Sequence, residues 1–121
     1  MTIDAANYVN FATVTTTNAT PATVCGNPLG AGAAVTIVAT VVGKETGAAG
    51  VGYVIVGTFR NNAGTVAQVG TTTALHTAED ASLAACAVAF AISGTTVNLQ
   101  VTGIAGKTID WHGTLTPAPQ A

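Results

Sequence analysis

The sequence predicts an all-β fold, a jelly-roll-like antiparallel β-sandwich of about eight strands with an extended N-terminal arm. Three observations predict it. β-branched residues dominate, and apolar positions recur with period two or in short continuous runs, as half-buried and fully buried strands require. Gly, Asn or Pro interrupts this pattern every eight to twelve residues, the turn spacing of sandwiches and barrels. There is no heptad, no strand–helix alternation and no short-period repeat, which excludes coiled coils and doubly wound sheets.

Taken in order, residues 1–32 are expected to form an N-terminal arm and first strand, and residues 33–121 the body of a single domain. "NYVNFATVTTT" alternates loosely, and the prolines and glycines of "NATPATVCGNPLGAG" suggest extended chain with turns. "AAVTIVATVVG" reads as a strand with Val35, Ile37, Ala39 and Val41 on one face. A "KETGAAG" loop leads to "VGYVIVGTFR", which sets Tyr53, Ile55, Gly57 and Phe59 on one side. Asn61-Asn62-Ala63-Gly64 closes a hairpin in which Asn and Gly are expected to supply positive φ, and "TVAQVGTTTAL" returns as the partner strand. In "ASLAACAVAFAIS" helix competes with strand, because Ala favours helix and Leu83, Cys86, Ala87 and Phe90 fall at helical spacing. Alternation of Cys86, Val88, Phe90 and Ile92 with alanines, followed by a Ser93-Gly94-Thr95 turn, favours a strand hairpin with "TVNLQVTG". The last strand, "TIDWHGTLT", points Ile109, Trp111, Gly113 and Leu115 one way and Thr108, Asp110, His112 and Thr114 the other. Pro117 and Pro119 are expected to end it, since neither can donate to a ladder.

Composition narrows the partners. Charged residues are 7% of the chain, against about 25% in ordinary proteins, and the net charge is −2. Nucleic acid is excluded, because no cluster of Lys and Arg exists to neutralise phosphates. The longest apolar runs fall well short of the roughly 20 residues of a membrane-spanning helix, and no secretory signal is read at the start. Synthesis is therefore expected in a cytoplasm, with Cys25 and Cys86 as unpaired, buried thiols rather than a disulfide. So uncharged a surface, relying on hydroxyls and amides, suits a protein covered by neighbours.

Two stretches together carry a family resemblance. "TIVATVVGKETGAAGVGYVIVGTFRNNAGTVAQVG" and "LQVTGIAGKTIDWHGTL" resemble a small β-sandwich module of tailed-phage structural proteins, found in tail fibres, tailspikes and small virion surface proteins. The shared features are a Gly/Ala-rich loop, Tyr53, Gly57-x-Phe59, an Asn/Gly turn, Val69-Gly70, a Gly-Lys-Thr-Ile turn and a Trp on the last strand. They span roughly residues 33–116. The resemblance implies a phage virion structural protein. The expected role is a capsid decoration or cement protein on the outer surface of the head, bound to major capsid protein subunits as a homotrimer and stabilising the shell by mass action. The alternative is a tail-fibre or receptor-binding module that contacts a host-surface glycan. An enzyme is not expected.

No catalytic, cofactor-binding or metal-binding residue is assigned, and each group that invites one has a simpler account. Asp110 and His112 share a strand face at about 6–7 Å, within reach of a metal or proton relay. A third ligand would have to come from His76 or the Glu79-Asp80 pair, so a solvated strand face and a polar loop are the simpler reading. "GIAGKT" lacks the first glycine of a phosphate-binding loop and leads into a strand. Cys25 with His76 has no residue to activate the thiol. Asn18-Ala19-Thr20 matches a glycosylation acceptor without a secretory route. Trp111 could stack on sugar or anchor a subunit contact, but on the face of Ile109 and Leu115 it is more simply core.

Overall fold

The computed structural model describes residues 9–120, with side chains as far as residue 118. It is all-β, with two antiparallel sheets packed face to face, as the period-two patterning predicts. The strands are β1 (Asn10–Thr16), β2 (Ala22–Pro28), β3 (Ala34–Glu45), β4 (Gly50–Asn62), β5 (Thr65–Glu79), β6 (Ala87–Ser93), β7 (Thr96–Thr102) and β8 (Ile109–Gln120). One sheet has the order β1-β8-β3-β4-β5 and the other β2-β7-β6. First strand pairs with last, and second with second-to-last, the nested closure of a jelly roll. β3, β4 and β5 form a meander.

The inner face is set by alternation. Val35, Ile37, Ala39 and Val41 of β3, Val51, Tyr53, Ile55 and Phe59 of β4, Val97, Leu99 and Val101 of β7, and Ile109, Trp111 and Leu115 of β8 are all buried. Each large apolar side chain so buried contributes about 1.5–3 kcal/mol relative to exposure. Trp111 is core, and its indole Nε1–H donates to Oγ1 of buried Thr16 at 2.9 Å. Room for the ring comes from Gly43 beside it, where a Cβ would stand 2.7 Å from Trp111 Cε3. Phe59 and Phe90 meet edge-to-face between the sheets, with ring centres 5.3 Å apart.

Several elements differ from expectation. In the stretch read as an arm and first strand, residues 10–28 carry two strands, each paired into a sheet; residues 1–8 lie outside the described residues. Pro117 and Pro119 do not end β8: they face Ile37 and Val35 of β3. Two residues apart, they share one phase of that ladder, and beyond Leu115 no described residue of β1 faces β8, so neither missing N–H removes a bond. The stretch "ASLAACAVAFAIS" divides: Ala81–Leu83 form a short 3-10 turn that plugs the core with Leu83, and only Ala87–Ser93 are strand. β5 runs on to Glu79, so His76 and Glu79 lie on a strand rather than in a loop. In the β4–β5 turn the positive φ falls on Ala63 and Gly64. Asn61 is instead buried, its Nδ2 donating to Leu29 O at 2.7 Å and its Oδ1 accepting from Gly64 N–H at 2.8 Å.

Candidate functional site

The outer face of the five-stranded sheet is the surface on which chemistry collects. Register assigns it row by row. One row runs Thr13, His112, Val42, Gly52, Ala78 from β1 to β5. The row beside it runs Phe11, Thr114, Thr40, Val54, His76. Four inter-strand gaps of about 4.8 Å make each row roughly 19 Å long. Phe11 is 77% exposed and Val42 56% exposed. An aromatic ring thus lies open among threonine hydroxyls and an imidazole.

Toward β5 this face sinks into an open groove of about 480 Å³. Its floor is β4 backbone at Gly50 and Gly52, its walls Val42 and Lys44 of β3 and Ala78 with Asp80 at the end of β5. These glycines differ from Gly43. A Cβ on Gly52 would meet nothing closer than Val41 O at 3.8 Å, and on Gly50 nothing closer than Gly43 O at 3.6 Å. Packing does not require them; their bare backbone makes the groove.

Charge gathers at the same end. Among the described residues, Lys44, Lys107, Glu45, Glu79, Asp80 and Asp110 lie there, two positive against four negative, for a local net of −2. Most are engaged. Lys44 Nζ donates to the carbonyls of Ala48 at 2.6 Å and Glu45 at 3.1 Å. Lys107 stands 3.6 Å from Glu45, a partly exposed pair worth at most about 1 kcal/mol. Asp80 Oδ2 accepts the N–H of Gly50 at 2.8 Å, and Asp110 Oδ1 accepts from Thr15 Oγ1 at 2.8 Å. Tyr53 Oη donates to Glu79 Oε2 from beneath the sheet. Burial first, then that hydrogen bond and the Glu79 charge, push the Tyr53 hydroxyl well above its ordinary range.

The groups that invited a site in the sequence are not brought together. Asp110 and His112 do share the outer face, but His76 lies three strands away on β5, about 14 Å across the sheet, and Glu79 and Asp80 lie at the far edge. Among the described residues no group of three or more His, Cys, Asp or Glu could hold a metal. Both cysteines are free: Cys25 on β2 is remote from His76, and Cys86 is buried. Burial raises both thiols. Lys107 sits in the turn before β8, where Gly106 has φ 80°. The loop between β1 and β2 holds Asn18, whose Oδ1 accepts from Thr20 N–H at 2.9 Å.

Phe11, Lys44, Gly50 and Gly52 were not singled out by the sequence. A signal for each was present. Phe11 shares the phase of Thr13 and Thr15, the polar side of its strand, and glycines at alternate positions of a strand mark open or closely approached backbone.

No family model and no curated protein matches the chain. Among solved structures, 93% of the chain superposes on 28% of the tailspike protein of Acinetobacter baumannii phage AM24, with a TM-score of 0.51 and 11% identity. Of this chain 89% superposes on 17% of the tailspike gp49 of Acinetobacter baumannii bacteriophage Fri1, described as a capsular polysaccharide depolymerase, with a TM-score of 0.46 and 17% identity. The chain thus spans less than a third of either tailspike. At these identities the likeness is one of fold. The AM24 neighbour is a phage tailspike, in keeping with the resemblance read in the sequence, and the comparisons give no support to capsid decoration. The expectation that the chain is not an enzyme does not stand, and the depolymerase activity is described for the Fri1 tailspike as a whole.

Proposed function

We propose that the chain is a module of a bacteriophage tail-associated protein that contacts a host-surface glycan through the outer face of its five-stranded sheet. The observation that carries this reading is the exposed Phe11 ring, on one flat, hydroxyl-rich face with a glycine-floored groove. An exposed ring offers its apolar face to the C–H side of a sugar. Thr13, Thr114 and His112 beside it donate and accept hydrogen bonds to hydroxyls. The groove lets a saccharide approach β4 backbone closely, with the second carboxylate oxygen of Asp80 and the Lys44 ammonium on opposite walls. A local net charge of −2 favours a neutral or amine-bearing saccharide over a strongly acidic one. The fold shared with part of a tailspike supports a tail rather than a head location.

Location on the particle tests the reading. Gold-labelled antibody against the chain is expected to mark the tail of purified virions. Label confined to the head would overturn it, and would return capsid decoration as the better account.

A further inference from the structure

The two sheets are unequal, and the step between them is self-complementary. Among the described residues, β5 ends the five-stranded sheet and β6 ends the three-stranded one on the same flank, so each presents a row of backbone N–H and C=O groups that no described strand pairs. β6 lies beneath β4 and β5, yet residues 69–79 of β5 are exposed on both faces, including Ala74 and Thr77, which register assigns to the inner face. The inner row of β6 is open too: Val88 and Phe90 are half-buried and Ile92 is 42% exposed. Neither residues 65–78 nor residues 87–93 contain the Lys, Arg, Asp, Glu or Pro that guard many edges, and β5 is guarded only by two register irregularities against β4, at Leu75 and at residues 70–72. β6 keeps an unbroken register with β7.

We propose that a second copy of this chain fills the step, related by a two-fold axis that runs between the layers along the strands. β5 of each copy then pairs with β6 of the other. Five strands continue into the other copy's three, and three into the other copy's five, giving two eight-stranded sheets. Within one copy β5 and β6 run in opposite directions, because the end of β5 at Glu79 and the approach to β6 at Cys86 both meet the Tyr53 hydroxyl. A two-fold along the strands preserves direction, so both seams are antiparallel. Residues 65–78 of β5 and all of β6 carry no Lys, Arg, Asp or Glu, so pairing along them buries no such charge, and the match is isologous and closes at two. At about 3.3 Å per residue the seven residues of β6 span about 23 Å; with two layers roughly 20 Å thick, the interface is about 450 Å² per copy. Such an area is below that of permanent dimers and fits one that dissociates on dilution.

Sedimentation equilibrium of the chain from micromolar to several hundred micromolar tests this. A monomer–dimer equilibrium is expected. Leu75→Lys on β5 and Ile92→Lys on β6 are each expected to weaken it at least about tenfold, because a charge at a strand edge opposes pairing. Leu75 is exposed and Ile92 partly so, circular dichroism verifies that the monomer fold is kept, and Thr116→Lys on the outer face of β8 is expected to leave the association unchanged. A chain that stays monomeric throughout overturns the proposal. So does a trimer, the number expected from the sequence, or edge variants that associate like the parent.

Discussion

Replacing Gly43 by Ala and, separately, Gly52 by Ala asks whether the two faces of the large sheet have been assigned correctly. Both glycines are in strands and neither has positive φ, so alanine itself favours either strand by about 0.5–1 kcal/mol. Surroundings decide the sign. At Gly43 the new methyl would stand 2.7 and 2.8 Å from two ring carbons of Trp111 and 3.0 Å from Val51 Cγ2. Trp111 is fully buried and held through its indole N–H to Thr16, so it cannot swing away. Overpacking of this kind costs about 1–3 kcal/mol. Net of the backbone gain, Gly43→Ala is expected to destabilise by about 1–2 kcal/mol, lowering Tm by roughly 4–8 °C in a domain of this size. Gly52→Ala, whose methyl meets only Val41 O at 3.8 Å, is expected to be neutral or to gain about 0.5 kcal/mol. Thermal and urea unfolding of the three proteins side by side is the assay. A Gly43→Ala variant as stable as the parent, or a Gly52→Ala variant equally damaged, would refute the packing around Trp111 and the open character of the groove.

Three further outcomes follow from the same geometry. Thr16→Val removes the acceptor of the buried Trp111 N–H and should cost about 1–3 kcal/mol in urea unfolding, whereas Trp111→Phe should cost less when combined with Thr16→Val than when added to the parent. The Tyr53 hydroxyl is raised in the folded state and ionises near pH 10 when unfolded, so its contribution is complete below pH 10 and falls as pH rises, by up to about 1.4 kcal/mol per pH unit. Alkaline unfolding curves of Tyr53→Phe should lack that share of the slope. Phe11→Ala should leave stability within about 0.5 kcal/mol, because its ring is 77% exposed, while lowering saccharide binding; a large loss of Tm would show the ring to be structural.

How much of this was legible depended on whether period two survived in each segment. In β7 and β8 it did: Val97, Leu99, Val101, Ile109, Trp111 and Leu115 alternate in the sequence and are all buried. β2 hid itself. Its Gly26, Asn27 and Pro28 read as turn residues, a bulge between Thr23 and Cys25 breaks the alternation, and the inward-facing Asn27 is tolerated because Asn10 Nδ2 donates to its side chain at 3.2 Å. The prolines of β8 misled for a related reason, since a missing donor matters only in the phase where a neighbour needs it. The site was harder still. Asp110, His112 and Lys107 drew attention by composition, yet the groove is made by residues that lack side chains, and its flatness depends on five strands converging from residues 11 to 80 and 110 to 116. Only the cross-strand register could reveal that.

The central claim is that the outer sheet face holds a saccharide, and titrating the protein against purified neutral and amine-bearing surface polysaccharides of the bacterial host by calorimetry tests it most directly. The parent chain is predicted to bind one of them, and Gly52→Val, which fills the groove while keeping the fold, to bind it at least about tenfold more weakly. Equal binding by the two proteins, or no binding by the parent to any host polysaccharide, would contradict the account.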